Sequence, residues 1–268
     1  MTNTKWRTIG GVALALGLVA LMLLLILTAL HAVGTDDGLY YRLQTDAGIL
    51  PETGISDGDL QALDAALAGY LAGDEAALTD PDGGVMALEV FGAPQPAFNE
   101  REMTHLEDCY GLFALLRKVR GRLIPWAVLL IVGGAYLLKD RRRTRRVAWL
   151  SPLILLVPLG AFAIWAAIDF DGAFTFFHRL LFSNDLWLLD PRTDLLIRIC
   201  PESMFMAMGL RIGLWGLAAL VGVPALATLI TCIWPRDKKR EANKWNDNRA
   251  TRRGAAQRRK TFDVGERH

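Results

Sequence analysis

IGGVALALGLVALMLLLILTALH, residues 9–31, is the stretch on which the fold turns. Before its terminal histidine it holds only Ile, Gly, Val, Ala, Leu, Met and Thr. That meets the requirement of about 20 predominantly apolar residues for a membrane-spanning helix. The run is longer than the roughly 7–15 residues of a signal-peptide core. Lys5 and Arg7 in front of it therefore read as the flank of a retained anchor, cleavage being the minority case.

Three further stretches follow the same pattern: Leu123–Leu138, Val147–Ile168 and Gly213–Trp234. The second is short for a span, so its helix is expected to continue beyond the membrane through the apolar residues of 110–116. Trp126, Trp149, Trp165 and Trp234 stand near segment ends, where an amphipathic ring suits the interface. The chain is 52% hydrophobic yet 22% charged, so its charges must be segregated from its apolar runs. An ordinary soluble domain is excluded.

Lysine and arginine give the orientation. Lys5 and Arg7 precede the first span, the run 139–146 (KDRRRTRR) joins the second to the third, and the tail beyond Pro235 is dense in both. With four spans all three fall on one side, which places both termini in the cytoplasm. Residues 32–122 are richer in Asp and Glu, apart from Arg117, Lys118, Arg120 and Arg122, which suit either a solvated helix face or anionic headgroups. The tail has no hydrophobic periodicity and reads as a disordered cytoplasmic extension that needs no nucleic-acid partner.

The expected architecture is an all-α membrane protein, with four transmembrane helices and a small mixed α/β extracytoplasmic cap. Residues 1–31 form the first helix, and 32–122 the cap with a polar motif. Residues 123–168 hold helices two and three around a basic loop at 139–146. An outer interfacial segment covers 169–208, helix four 209–234 and the basic tail 235–268. Within the cap, Asp57-Gly58-Asp59 announces a leucine-spaced helix with the Asp residues as caps. Residues 85–91 suggest a strand, which Gly92-Ala93-Pro94-Gln95-Pro96 is expected to break.

Polar chemistry gathers in two outer motifs. Phe98-Asn99-Glu100-Arg101-Glu102-Met103-Thr104-His105 leads to Asp108, with Arg101, His105 and Asp108 on one helical face and Glu102 a turn from His105. Phe177-His178-Arg179-Leu180-Leu181-Phe182-Ser183-Asn184-Asp185-Leu186-Trp187 forms the second, running on to Asp190 and Asp194. Two histidines on two segments can serve as acid and base, although a lone interfacial histidine is more often structural. Zinc is disfavoured because no His-x-x-x-His or Cys-x-x-Cys spacing is present. Ser183 lacks a nucleophile elbow. Cys109 and Cys200 suit either a disulfide or two free thiols.

These two motifs resemble those of the bacterial lipoprotein intramolecular transacylase (Lit) family, and Asp194-Leu195-Leu196-Ile197 with Pro201-Glu202 continues the match. The resemblance covers roughly residues 9–234. It implies a membrane acyltransferase that moves the sn-2 acyl chain of a diacylglyceryl lipoprotein to the α-amine of its N-terminal cysteine. The lyso-form lipoprotein results. It makes His105 and His178 the catalytic pair, with His105 as base and His178 as acid or oxyanion partner, or the reverse. Arg101, Glu102, Asp108, Asn184 and Asp185 are then expected to support the pair or the substrate, with Phe177 and Trp187 lining an acyl groove. The expected partners are the lipidated lipoprotein and membrane lipids. A monomer without metal or cofactor is expected, its active site at the outer leaflet. The alternative is a non-enzymatic membrane sensor or accessory subunit.

Overall fold

The structure, a computed structural model, describes residues 2–233 and Arg249. Trp234, His268 and, apart from Arg249, the basic tail lie outside the described residues. The chain divides into two units, Met1–Thr228 and Leu229–His268, and the contacts below lie within the first.

Among the described residues, four helical segments are long and apolar enough to cross a membrane: Thr4–Val33, Glu100–Leu138, Arg141–Ile168 and Glu202–Ile233. The first lies in α1 (Thr2–Val33), and the second is α5 (Glu100–Leu138), which is continuous through Pro125 and extends well past the apolar run. The third joins α6 (Arg141–Leu150) to α7 (Leu153–Ile168). The fourth is α10 (Glu202–Ile233), which begins earlier than the boundary at 209 expected from hydropathy.

The expected basic loop at 139–146 is instead almost wholly helix. Lys139 ends α5 in the left-handed conformation, and Asp140 caps α6 by accepting the amides of Arg142 and Arg143. Only two residues therefore turn the chain, and the arginines form the opening turns of α6. Asp140 also pairs with Arg7 at 2.6 Å.

Helices α1 and α5 run antiparallel in close contact. Gly10 abuts Leu137 and Leu138, Gly17 abuts Ile131, and Gly34 abuts Phe113. A Cβ on Gly17 would stand 2.7 Å from the backbone nitrogen of Ile131, and one on Gly134 would collide with the backbone of Leu14. In lipid, small residues at the seam let backbones approach where no hydrophobic force drives the helices together. Leu14, Leu18, Met22, Leu138, Ala148, Leu220 and Val223 form the buried core among the helices.

Between α1 and α5 lie α2 (Asp37–Asp46), α3 (Ile49–Thr53), α4 (Asp57–Ala72), β1 (Ala87–Val90) and β2 (Ala93–Pro96). The α4 cap is Ser56, whose hydroxyl accepts the Asp59 amide; Asp57 and Asp59 are first-turn acids rather than the cap. The segment expected to break the strand is itself β2, paired antiparallel with β1. Phe91 and Gly92, both at positive φ, form a two-residue turn that suits a hairpin. Pro94 and Pro96 are tolerated because β2 is an edge strand, where a missing N–H costs no ladder bond.

The second excursion holds α8 (Phe170–Leu181) and α9 (Leu195–Ile199). One hydrophobic core unites the two excursions: Leu60, Leu63, Leu78, Leu88 and Phe98 pack with Leu106 of α5 and Leu195, Leu196 and Ile199 of α9. Arg117 of α5 donates to the Leu71 carbonyl at 2.6 Å and so closes the last turn of α4, a use that charge pattern alone does not indicate.

Asp64 is 1% exposed in this core beside the fully buried Gln44. Burial pushes its carboxyl up to about 7; Gln44 opposes the shift and Asp37 adds to it. The folded chain thus keeps a proton on Asp64 that the unfolded chain releases from about pH 4. Stability from this residue is full at low pH and is lost as pH rises toward 7. Thermal unfolding in detergent is expected to lose stability across that interval in the native chain, with the dependence flattened in Asp64→Asn. Gly134→Leu is expected to lower the melting temperature by several degrees by forcing α1 away from α5.

Candidate active site

The site is assembled by the N-terminus of α5. Asn99 accepts the Glu102 amide at 3.0 Å, and Glu102 Oε2 accepts the Asn99 amide at 2.8 Å, completing a capping box. The second oxygen of Glu102 accepts the Leu196 amide at 2.6 Å, at the start of α9. Asn99 also donates to Asp194 at 2.9 Å, while Asp194 accepts the Asp190 amide at 2.8 Å. Glu102 is 1% exposed and saturated by backbone. Its hydrogen bonds go to Asn99 and Leu196, so it anchors two chain segments rather than orienting His105 as expected.

Arg101, His105 and Asp108 share one face of α5, and that face meets the chain around α8. Arg101 donates to the Asp185 carbonyl at 2.7 Å. Asn184 Nδ2 donates to Asp108 Oδ2 at 2.8 Å, and Trp187 Nε1 donates to the Asn184 carbonyl at 2.9 Å. Asp185 engages through its backbone, and its side chain faces outward.

His105 and His178 come together, each 8% exposed, with ring centroids 6.1 Å apart. His178 Nδ1 lies 2.8 Å from the Phe174 carbonyl. A carbonyl only accepts, so Nδ1 carries the hydrogen and the neutral ring leaves Nε2 as a bare acceptor. Burial lowers the pKa of His178 from the usual histidine range, and the Phe174 carbonyl pulls the other way. Trp187 stacks on His178 at 4.9 Å, and Phe174 lies at 4.0 Å. Phe182 bridges the pair, 5.1 Å from His105 and 5.6 Å from His178. Phe177 is near His178 at 5.5 Å and stays largely exposed.

His105 Nε2 lies 3.7 Å from Cys109 Sγ, while its buried Nδ1 has no hydrogen-bond partner. Cys109 and Cys200 are both free thiols. Among the described residues, no group of three His, Cys, Asp or Glu stands close enough to hold a metal. A cavity of about 220 Å³ is lined by Asp108, Gly111, Leu112, Leu181, Phe182, Ser183 and Asn184; neither histidine lines it, and Phe182 stands between it and the pair.

Sequence reasoning did not single out Asn99, Cys109, Phe174 or Phe182 as site residues. The first carried a legible signal, an Asn three residues before a Glu at a helix start. Cys109 and Phe174 each lie one helical turn from a histidine. The backbone amide of Leu196, which Glu102 anchors, offered no local signal.

Among the described residues, four apolar helices and a buried histidine pair describe an integral membrane protein with a candidate active site. The family model described as Lipoprotein intramolecular transacylase Lit matches residues 15–205. The chain belongs to that family and is an acyltransferase of it, which leaves the non-enzymatic alternative without support. No curated protein matches the sequence. Among solved structures, the integral membrane lipoprotein intramolecular transacylase Lit of Bacillus cereus is 24% identical, with a TM-score of 0.54 over 84% of this chain and 94% of that one. A variant of it with one histidine replaced by arginine gives 24% identity and 0.55 over 90% and 95%. Its alanine variant gives 24% and 0.53 over 84% and 92%. At this identity the likeness is one of fold.

Replacing Glu102 with Ala strands the buried amide of Leu196, at about 1–3 kcal/mol, and opens the capping box at the exposed Asn99. Glu102→Ala is expected to unfold markedly earlier than the native chain in a thermal melt, with Glu102→Gln, which keeps one acceptor, falling between the two.

Proposed function

We propose that this chain moves the sn-2 acyl chain of a diacylglyceryl lipoprotein to the α-amine of its N-terminal cysteine, and that His105 and His178 perform the proton transfers. The observation that carries the reading is the buried imidazole pair, with the His178 tautomer fixed by Phe174 and a cavity on the far side of Phe182.

An α-amine has a pKa of about 7.7–8.0, so at neutral pH most of it is protonated and cannot attack. Asp108, which lines the cavity, offers a carboxylate to that ammonium, and Asn184 holds the carboxylate in place. The ammonium releases one proton to water, and the neutral amine then attacks the ester carbonyl. The C–N bond forms, and the carbonyl oxygen takes the electron pair. His178 Nε2, bare and neutral, takes the second amine proton, which reverses the preferred assignment of the sequence reading. His105 faces the developing oxyanion and, as an N–H donor, stabilises it. The C–O bond then breaks, and the proton held by His178 passes to the departing glyceryl oxygen. Ester and amine become amide and alcohol, with protons balanced and no enzyme-bound acyl group. Donor and acceptor belong to one molecule, so binding alone supplies their proximity.

The orientation rests on charge. Lys and Arg gather at the end bearing Arg7 and α6, opposite the histidines, which supports a reading with the site at the outer leaflet and both termini in the cytoplasm. The exposed apolar side chains of α8, among them Phe176, Phe177 and Leu180, suit contact with lipid beside the site. The enzyme acts as a monomer in this reading, since both histidines come from one chain.

Mass spectrometry of lipoprotein N-terminal peptides tests the reading, in a host that supplies diacylglyceryl lipoprotein. The native protein is expected to yield N-acyl, S-monoacylglyceryl cysteine. His178→Ala and His105→Ala are each expected to lose 100-fold or more in rate. Undiminished transfer by the double variant contradicts the two-histidine mechanism. Because the His178 pKa is lowered, its base form persists below the ordinary value of about 6.5. The acid limb that His178 contributes is therefore expected below that value, and below the limb that the substrate amine sets at about 7.7–8.0.

A further inference from the structure

A second cavity, about 440 Å³, shares no lining residue with the histidine cavity. It lies where the end of α1, the start of α2 and α10 meet. Its apolar lining includes Val33, Leu39, Leu214 and Trp215, and two opposite charges, Asp36 and Arg211, also line it. They do not neutralise each other: among the described residues neither Asp36 nor Arg211 forms an ion pair. One oxygen of Asp36 accepts the Leu39 amide at 2.8 Å, which fixes the carboxylate as the α2 cap.

The depth of this cavity can be read along α1. From Arg7, at the opposite boundary, to Ala32 the helix rises about 38 Å at about 1.5 Å per residue. A hydrocarbon core of about 30 Å lies within about 40–45 Å of bilayer including headgroups. The cavity therefore stands at the level of a headgroup layer. Arg211 is exposed on α10 at this level, where a guanidinium can reach lipid phosphates. Trp215, 66% exposed one turn further into α10, suits the interface.

We propose that this cavity is a structural phospholipid site for a phosphoethanolamine headgroup. Arg211 takes the phosphate, Asp36 takes the ammonium, and an acyl chain runs along Trp215 and Ala218. A phosphate alone leaves Asp36 facing a like charge, and a lone ammonium leaves Arg211 so, whereas a zwitterion satisfies both. The diacylglyceryl group of a lipoprotein carries no phosphate and is not the occupant. The inference rests on the membrane placement of α1 and α10, and it is independent of the histidine chemistry.

Native mass spectrometry of the full-length detergent-solubilised protein, titrated with defined lipids, tests it. The native chain is expected to retain one phosphatidylethanolamine at least tenfold better than phosphatidylglycerol, phosphatidylcholine or diacylglycerol. Arg211→Gln is expected to lose that retention, and Arg211→Lys to keep most of it. Asp36→Asn preserves the α2 cap and is expected to abolish the preference over phosphatidylglycerol. All three variants are expected to keep transacylation. Equal retention of all four lipids by the native chain overturns the proposal, and so does unchanged selectivity in Asp36→Asn. Should Arg211→Gln fail to fold, the Asp36→Asn and Arg211→Lys selectivities decide. A loss of lipoprotein transacylation in the native chain would count against the proposed function and leave this site standing.

Discussion

Everything at the histidine end of the molecule depends on one buried carboxylate. Glu102 is almost wholly removed from solvent, yet both of its oxygens are engaged by backbone amides, one from its own helix cap and one from α9. An acceptor of this kind is costly to bury alone and stabilising once saturated. It fixes where α5 begins relative to a segment far away in the chain. Because His105 follows within the same helical turn, the same bonds fix the histidine. Asn99 and Asp194 add a second tie between the same two segments.

With α5 held, the rest of the site follows from one helix face and one aromatic cluster. Arg101 and Asp108 grip the chain after α8 on either side of His105. That grip brings His178 within ring contact, where Trp187, Phe174 and Phe182 enclose it. The aromatic walls keep the imidazole neutral, and a carbonyl chooses which nitrogen is bare. The transmembrane helices contribute stiffness: the glycine seam between α1 and α5 sets a rigid axis from which the site projects.

Much of this was legible in the sequence, because a bilayer makes strong demands on composition. A span must be apolar over its whole length, so all four helices announced themselves, and the short second run rightly implied a helix longer than the membrane. The two motifs and their histidines stood out as polar islands in apolar surroundings. Boundaries were less legible. Helix α10 starts at Glu202 because Pro201 and an acidic first turn suit a helix start, a signal that hydropathy does not register. The basic residues after Asp140 form a helix because that side chain caps it. The partner of Glu102 was not legible for a different reason. Its true partner is a backbone amide near residue 196, and no local pattern encodes a contact at that separation. The β2 strand was read as a breaker because proline argues against a strand, a rule that relaxes at an edge.

The central claim is that the fold presents a neutral His178 with its hydrogen on Nδ1 and its lone pair on Nε2. Nitrogen NMR of the histidine-labelled protein at pH 7, with His178→Ala to assign the resonances, tests this most directly. The account predicts the neutral Nδ1–H tautomer for His178, persisting as pH falls toward the usual histidine range. A doubly protonated ring at pH 7, or the opposite tautomer, would contradict it.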